Sequence, residues 1–251
     1  MSRKRSETHL EFAVARNTPT VVRRRTTGFR WLRHTSRLRG SPRSAVAFSD
    51  SQLERIWFST ILHLSIMFTL AWTVGNGFEF QVFAIPVLNP GVALAAVAAL
   101  SLCLLLGMIA RKFHKVDERK QMMVFALAAR TCRQWCLKLI TIVAASLAED
   151  AAYRGVGWEI LTYAIGDPRL AAFICSAAFA MAHWMQGWKS MSMIFLIAAI
   201  MHVLVWYTKS LVPAMIVHGV YDVIAISLIA AEASRQRQSM IAGNSEETVD
   251  G

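Results

Sequence analysis

The chain reads as all-α: a multi-pass transmembrane helical bundle of about six spans plus an interfacial helix. Three features carry this reading. Of 251 residues, 55% are hydrophobic and only 17% charged, with a mean hydropathy of +0.41, which suits a polytopic membrane protein. Apolar stretches of about twenty residues recur, the length a helix needs to cross a bilayer. Basic residues collect between and outside these stretches, as they do in segments that stay cytoplasmic.

The elements follow in order. Residues 1–50 hold twelve of the 27 Lys and Arg residues, all before Ala45, with many Ser and Thr and few acids. They read as a disordered basic arm on anionic cytoplasmic lipid. An organellar transit peptide has the same composition and stays as the alternative; no motif suggests nucleic-acid binding. Residues 51–134 form the N-terminal spans: Ile56 to Val74 with Trp57 and Trp72 as interfacial anchors, a loop from Gly75 to Pro90, and Val92 to Ala110. The basic connector Arg111–Lys120 follows, and Gln121 to Arg133 is expected as an interfacial amphipathic helix. Residues 135–232 are the helical core. Its spans are Leu137–Ile165, Leu170–Trp184, Met191–Tyr207 and Leu211–Ala231. Asp167 caps the second of these with Pro168 in its first turn, and Gln186–Lys189 breaks the chain before the third. Residues 233–251 are expected as a disordered tail. Six spans place both termini on one side: cytoplasmic in a cell (inner) membrane, or in an organellar membrane if the arm is a transit peptide. The four cysteines form no C-x-x-C pair and read as small buried residues.

The span from Leu137 carries an anomaly. Glu149, Asp150 and Arg154 fall within six positions of an otherwise apolar helix, at a cost of up to about 9 kcal/mol on insertion scales. Asp150 and Arg154 stand at i and i+4 with the acid first, the favourable order for a pair. Glu149 points elsewhere around the helix and has no local cation. Later spans repeat the pattern. Phe179 and His183 are four apart, as are His218 and Asp222. Ionisable groups at membrane depth face a bundle interior or a wet cavity, so the three helices should converge. His63 and His202 belong to no such pattern and read as packing or interhelical hydrogen-bonding groups.

Glu-Asp-x-x-x-Arg, Phe-x-x-x-His and His-x-x-x-Asp, in this order, resemble the three motifs of the CPBP family, the intramembrane proteases related to type II CAAX prenyl endopeptidases and to bacteriocin-processing or bacteriocin-immunity proteins. Tyr153-Arg154-Gly155 is similar to that family's Phe-Arg-Gly. Lys209 to Ala214 resembles the segment leading into its last motif. The likeness covers roughly residues 138–228. It departs from the commonest pattern in Asp150, where a second Glu is usual, and in Asp222, where Asn is usual.

The resemblance implies an intramembrane endopeptidase acting on a peptide or lipidated protein substrate, its best-known substrate ending in a prenylated tripeptide. Peptide hydrolysis needs an activated water, a base and donors to the oxyanion. Glu149 is the expected base. His183 and His218 either bind a divalent metal, zinc by ligand type, or act directly as donors; Asp222 adds charge that favours a metal held by His183, His218 and Asp222. Asp150 and Arg154 are expected to orient Glu149, with substrate-carboxylate binding by Arg154 as the second reading, and Phe179 to pack. A non-catalytic membrane scaffold or immunity protein of the same fold is the competing class, and Glu149 discriminates, because a scaffold has no chemical use for it. Membrane lipids are the other expected partners. One mismatch remains: up-and-down threading puts His183 and His218 toward opposite ends of their spans, which a tilt, a re-entrant segment or a misplaced turn would resolve.

Overall fold

The computed structural model describes residues 48–87, 89–113 and 123–247. Helix α1 runs Asp50–Gly77, α2 Pro90–Phe113, α3 Met123–Ala126 and α4 Cys132–Glu149. A π-helical segment, Asp150–Gly157, continues α4 directly into α5, Trp158–Ile165. Then come α6 (Pro168–Ala182), α7 (Trp188–Thr208) and α8 (Val212–Glu247), with short 3-10 turns at Gln81–Phe83 and Trp184–Gln186. The basic arm and most of the basic connector lie outside the described residues.

Local chemistry sets most boundaries. Ser49 and Gln52 form a capping box that starts α1, satisfying two otherwise unpaired backbone donors. Thr131 accepts from the Gln134 amide at 3.2 Å and opens α4. This cap cuts the expected interfacial helix short: of Gln121–Arg133, the described part keeps one turn, Met123–Ala126. Asp167 caps α6 through the amides of Arg169 and Leu170, with Pro168 at the start as expected.

Among the described residues, four helices are long and apolar enough to cross a membrane: α1, α2, α7 and α8 over Val212–Arg235. The α4–π–α5 run is interrupted by its charges, and α6 has only 15 residues, about 22 Å of rise against a hydrocarbon core of about 30 Å. Helix α8 is also longer than expected. It continues to Glu247, so residues 233–247 are helical rather than a disordered tail. The stretch contains no proline, and Glu232 pairs with Arg111 of α2 at 2.8 Å.

Phe58, Leu62, Ile66 and Leu70 of α1 are all exposed at every fourth position, a stripe stable against acyl chains and costly against water. The interior is lined by small or narrow residues, among them Ala151, Ala171, Cys175, Ala198 and Ala214, which let helices approach closely. Helix α1 packs on α4 and the π segment, α2 on α7 and α8, and α4 on α8. The loop after α1 folds back into this core. Leu211 N–H donates to the Val82 carbonyl at 2.8 Å, and Ser210 Oγ to that of Ala84 at 2.6 Å. The Phe83 ring enters where Gly75 and Gly155 leave room: a Cβ at either glycine would come within 2.4 or 2.8 Å of it.

A candidate active site within the bundle

The π segment begins immediately after Glu149 and carries Asp150 and Arg154. Such wide turns are rare and often mark functional sites. Gly157 is a condition of this one, because a Cβ there would lie 2.8 Å from the Ala152 carbonyl oxygen. Asp150 and Arg154 are ion-paired and almost wholly buried, as their spacing predicts. The Arg154 guanidinium also lies 4.9 Å from the centre of the Phe179 ring.

The three motifs converge. His218 Nε2 is 3.7 Å from Glu149 Oε2 and 3.8 Å from Asp222 Oδ2, while its Nδ1 is 3.5 Å from Asp150 Oδ1. Carboxylates therefore face both ring nitrogens, at separations longer than a hydrogen bond. Two expectations change here. Glu149, read from the sequence as lacking a cation, has an imidazole beside it. Asp150, read as a partner of Arg154, faces His218 as well. His183 ends α6, and its Nδ1 lies 2.9 Å from the Phe179 carbonyl. That acceptor assigns the proton to Nδ1 and leaves Nε2 as a free acceptor.

The Phe179 ring centre is 4.8 Å from that of His183 and 6.2 Å from that of His218, so it packs against both imidazoles. Helix α6 is short and ends at His183, while His218 lies two turns into α8; a cavity of about 340 Å³ lined by Glu149, His183, His218 and Asp222 bridges the difference. Lys138, which the sequence reading passed over, lines the same cavity. The signal was present: Lys138, Ala145 and Glu149 share a helical face.

Among the described residues, no three His, Cys, Asp or Glu side chains are grouped so as to hold a metal ion. His183, His218 and Asp222, the expected metal-holding set, line one cavity together with Glu149. His202 bonds between helices, its Nδ1 3.1 Å from Ser176 Oγ. His63 is exposed and bonds within its own helix, to the Ser59 carbonyl at 2.6 Å, so the interhelical reading fails for it. Cys103 and Cys175 are buried, but Cys132 and Cys136 are exposed, since both fall on the outward face of the first turns of α4.

Residues 131–224 match the family described as Type II CAAX prenyl endopeptidase Rce1-like. The search of curated proteins finds no match, nor does that of solved structures. The matched stretch begins at the cap of α4 and ends two residues after Asp222, so it contains every motif residue of the site.

Proposed function

We propose that the chain, which matches a type II CAAX prenyl endopeptidase family over residues 131–224, is an intramembrane endopeptidase that hydrolyses a peptide bond in the cavity at Glu149. The observation that carries this reading is the meeting of Glu149, His183 and His218, from three separate helices, around one polar cavity within an apolar bundle.

A water between Glu149 and His183 donates one hydrogen bond to each, the second to the free Nε2. Glu149 takes its proton as the oxygen attacks the scissile carbonyl carbon. His218 donates to the developing oxyanion from Nε2, with Asp150 facing its Nδ1. The tetrahedral intermediate expels the amine, which receives the proton from Glu149 and restores the carboxylate. A positioned base of this kind supplies about 10²–10⁴-fold and an oxyanion donor about 10²–10³-fold.

A lipidated or membrane-associated substrate fits the surroundings. A second, apolar cavity of about 450 Å³ between α2, α7 and α8 shares Gln186, Ile194, Ile197 and Tyr221 with the catalytic one. An acyl or prenyl chain there would reach the site from the bilayer. With the basic Arg111–Lys120 connector held in the cytoplasm, six spans put both termini on that same side. Chelation followed by zinc tests the role of His183, His218 and Asp222: loss with chelator and recovery with zinc assigns them to a divalent metal, and unchanged turnover assigns His183 and His218 to direct hydrogen bonding. The test of the reading itself is cleavage of a peptide library by purified protein, with Glu149→Gln as control.

A further inference from the structure

The geometry points to Cys132 and Cys136 as sites of S-acylation, with the acyl chain of Cys136 laid in an apolar groove between α1 and α4. Cysteine is among the residue types most often buried, yet these two free thiols are exposed. They stand at i and i+4, so they share one helix face. Leu139, Ile140 and Val143 follow on that face and are exposed as well. The two thiols therefore head the apolar stripe that α4 turns outward.

The start of α4 is a boundary between water and lipid. Arg130 and Arg133 flank Cys132 in the chain. Their guanidiniums meet acids in the first turns of α1, Arg130 at 3.6 Å from Asp50 and Arg133 at 3.2 Å from Glu54. These charges hold this end of the helix pair at the headgroups, on the cytoplasmic side in the six-span orientation. A thiol at such a place meets a charged acyl donor from the water and gives its product to the bilayer.

The groove is a second, independent feature. A cavity of about 460 Å³ is walled by Ile61, Leu64 and Phe68 of α1 and by Leu139, Ile140 and Val143 of α4. Its α4 wall begins one turn beyond Cys136: Leu139 and Ile140 are three and four residues on, the spacings at which helical side chains are neighbours. Thr69, a polar member of the wall, donates its hydroxyl to the Ser65 carbonyl at 2.8 Å, so its hydroxyl is satisfied within α1. The reaction is thioester exchange with a long-chain acyl-CoA. The cysteine thiolate attacks the acyl carbonyl carbon, and the bond from that carbon to the CoA sulfur breaks. CoA leaves as a thiolate and takes up the proton that the cysteine released, so no oxidant or reductant is consumed.

The test weighs full-length protein from its own membranes by intact mass spectrometry, before and after neutral hydroxylamine, which cleaves thioesters. One or two long-chain acyl masses should be present, lost with hydroxylamine, and absent from protein carrying Cys132→Ser with Cys136→Ser. The groove is tested in detergent with palmitoyl-CoA and acetyl-CoA on the two single serine variants. The ratio of palmitoyl to acetyl transfer should be about fivefold or more higher at Cys136 than at Cys132, because only a long chain gains from burial in the groove. Ala144→Phe narrows the groove without replacing either thiol. It should remove that difference while a small maleimide still labels both cysteines at the wild-type rate. Absence of a hydroxylamine-labile mass, its persistence in the double serine protein, or a reductant-sensitive bridge between the two thiols would overturn the modification. Equal ratios at the two cysteines, or a difference that survives Ala144→Phe, would overturn the placement of the chain.

Discussion

Asp150 has two contacts that a single residue change separates. Its ion pair with Arg154 is buried on both sides, so Asp150→Asn leaves a buried guanidinium unpaired, at a cost of about 3–5 kcal/mol. Its approach to His218 at 3.5 Å adds an effect on turnover, because the oxyanion donor loses its orienting acceptor. The expected result is a lowered melting temperature together with a fall in kcat. Asp150→Asn with Arg154→Met removes the stranded charge, so melting temperature should partly recover while kcat does not. Recovery of both would show that Asp150 acts on His218 only through general stability. The spacing of Asp150 and Arg154 revealed their pair in the sequence. The contact with His218 was not legible there, because it joins residues 68 positions apart and depends on how α8 turns against the π segment. Phe179 was legible as packing, yet its contact with two imidazoles is a tertiary fact.

Among the elements, the π segment is the one that local sequence rules describe least well. The apolar pattern announces a continuous span from Leu137 to Ile165, and the helical path is indeed continuous. Its widened turn depends on Gly157 meeting the Ala152 carbonyl, which no period of hydrophobicity encodes. Gly157→Ala forces a Cβ against backbone rather than a flexible side chain, and overpacking of this kind costs about 1–3 kcal/mol. If the turn reverts to a regular α-helix, the residues after it rotate, and Arg154 moves relative to Phe179. We expect Gly157→Ala to lower both melting temperature and turnover in detergent. Unchanged values would mean that the π turn is not needed to present Glu149. Caps behaved differently. Asp167 acts through bonds within three residues, and its cap was legible. Ser49 and Thr131 act as locally, but they start helices several residues before the apolar runs at Ile56 and Leu137, where hydropathy alone gives no signal. The length of α8 was hidden because charged and polar residues after Ala231 resemble a tail, although Glu232 is held by Arg111 across the bundle.

The bundle itself was legible from composition, because a chain with so much apolar surface and so few charges needs lipid around it. Among the described residues, four helices meet the length and apolarity of a span. The remaining two crossings of the six-span reading rest on the charge-bearing α4–π–α5 run and on the short α6. Single cysteines engineered at Ser6, Lys115 and Ser239 should be labelled by a membrane-impermeant thiol reagent only from the cytoplasmic side. Labelling of any of them from outside contradicts six spans with cytoplasmic termini. The arrangement gathers Glu149, His183 and His218 around one polar cavity, and cleavage by purified protein tests most directly the proposal that Glu149 is the base there. With equal amounts of folded wild type and Glu149→Gln in detergent, the wild type should cleave a membrane-soluble peptide. Glu149→Gln should be slower by about 10²–10⁴-fold at an unchanged melting temperature. Near-normal turnover by folded Glu149→Gln would contradict the assignment of Glu149 as the base.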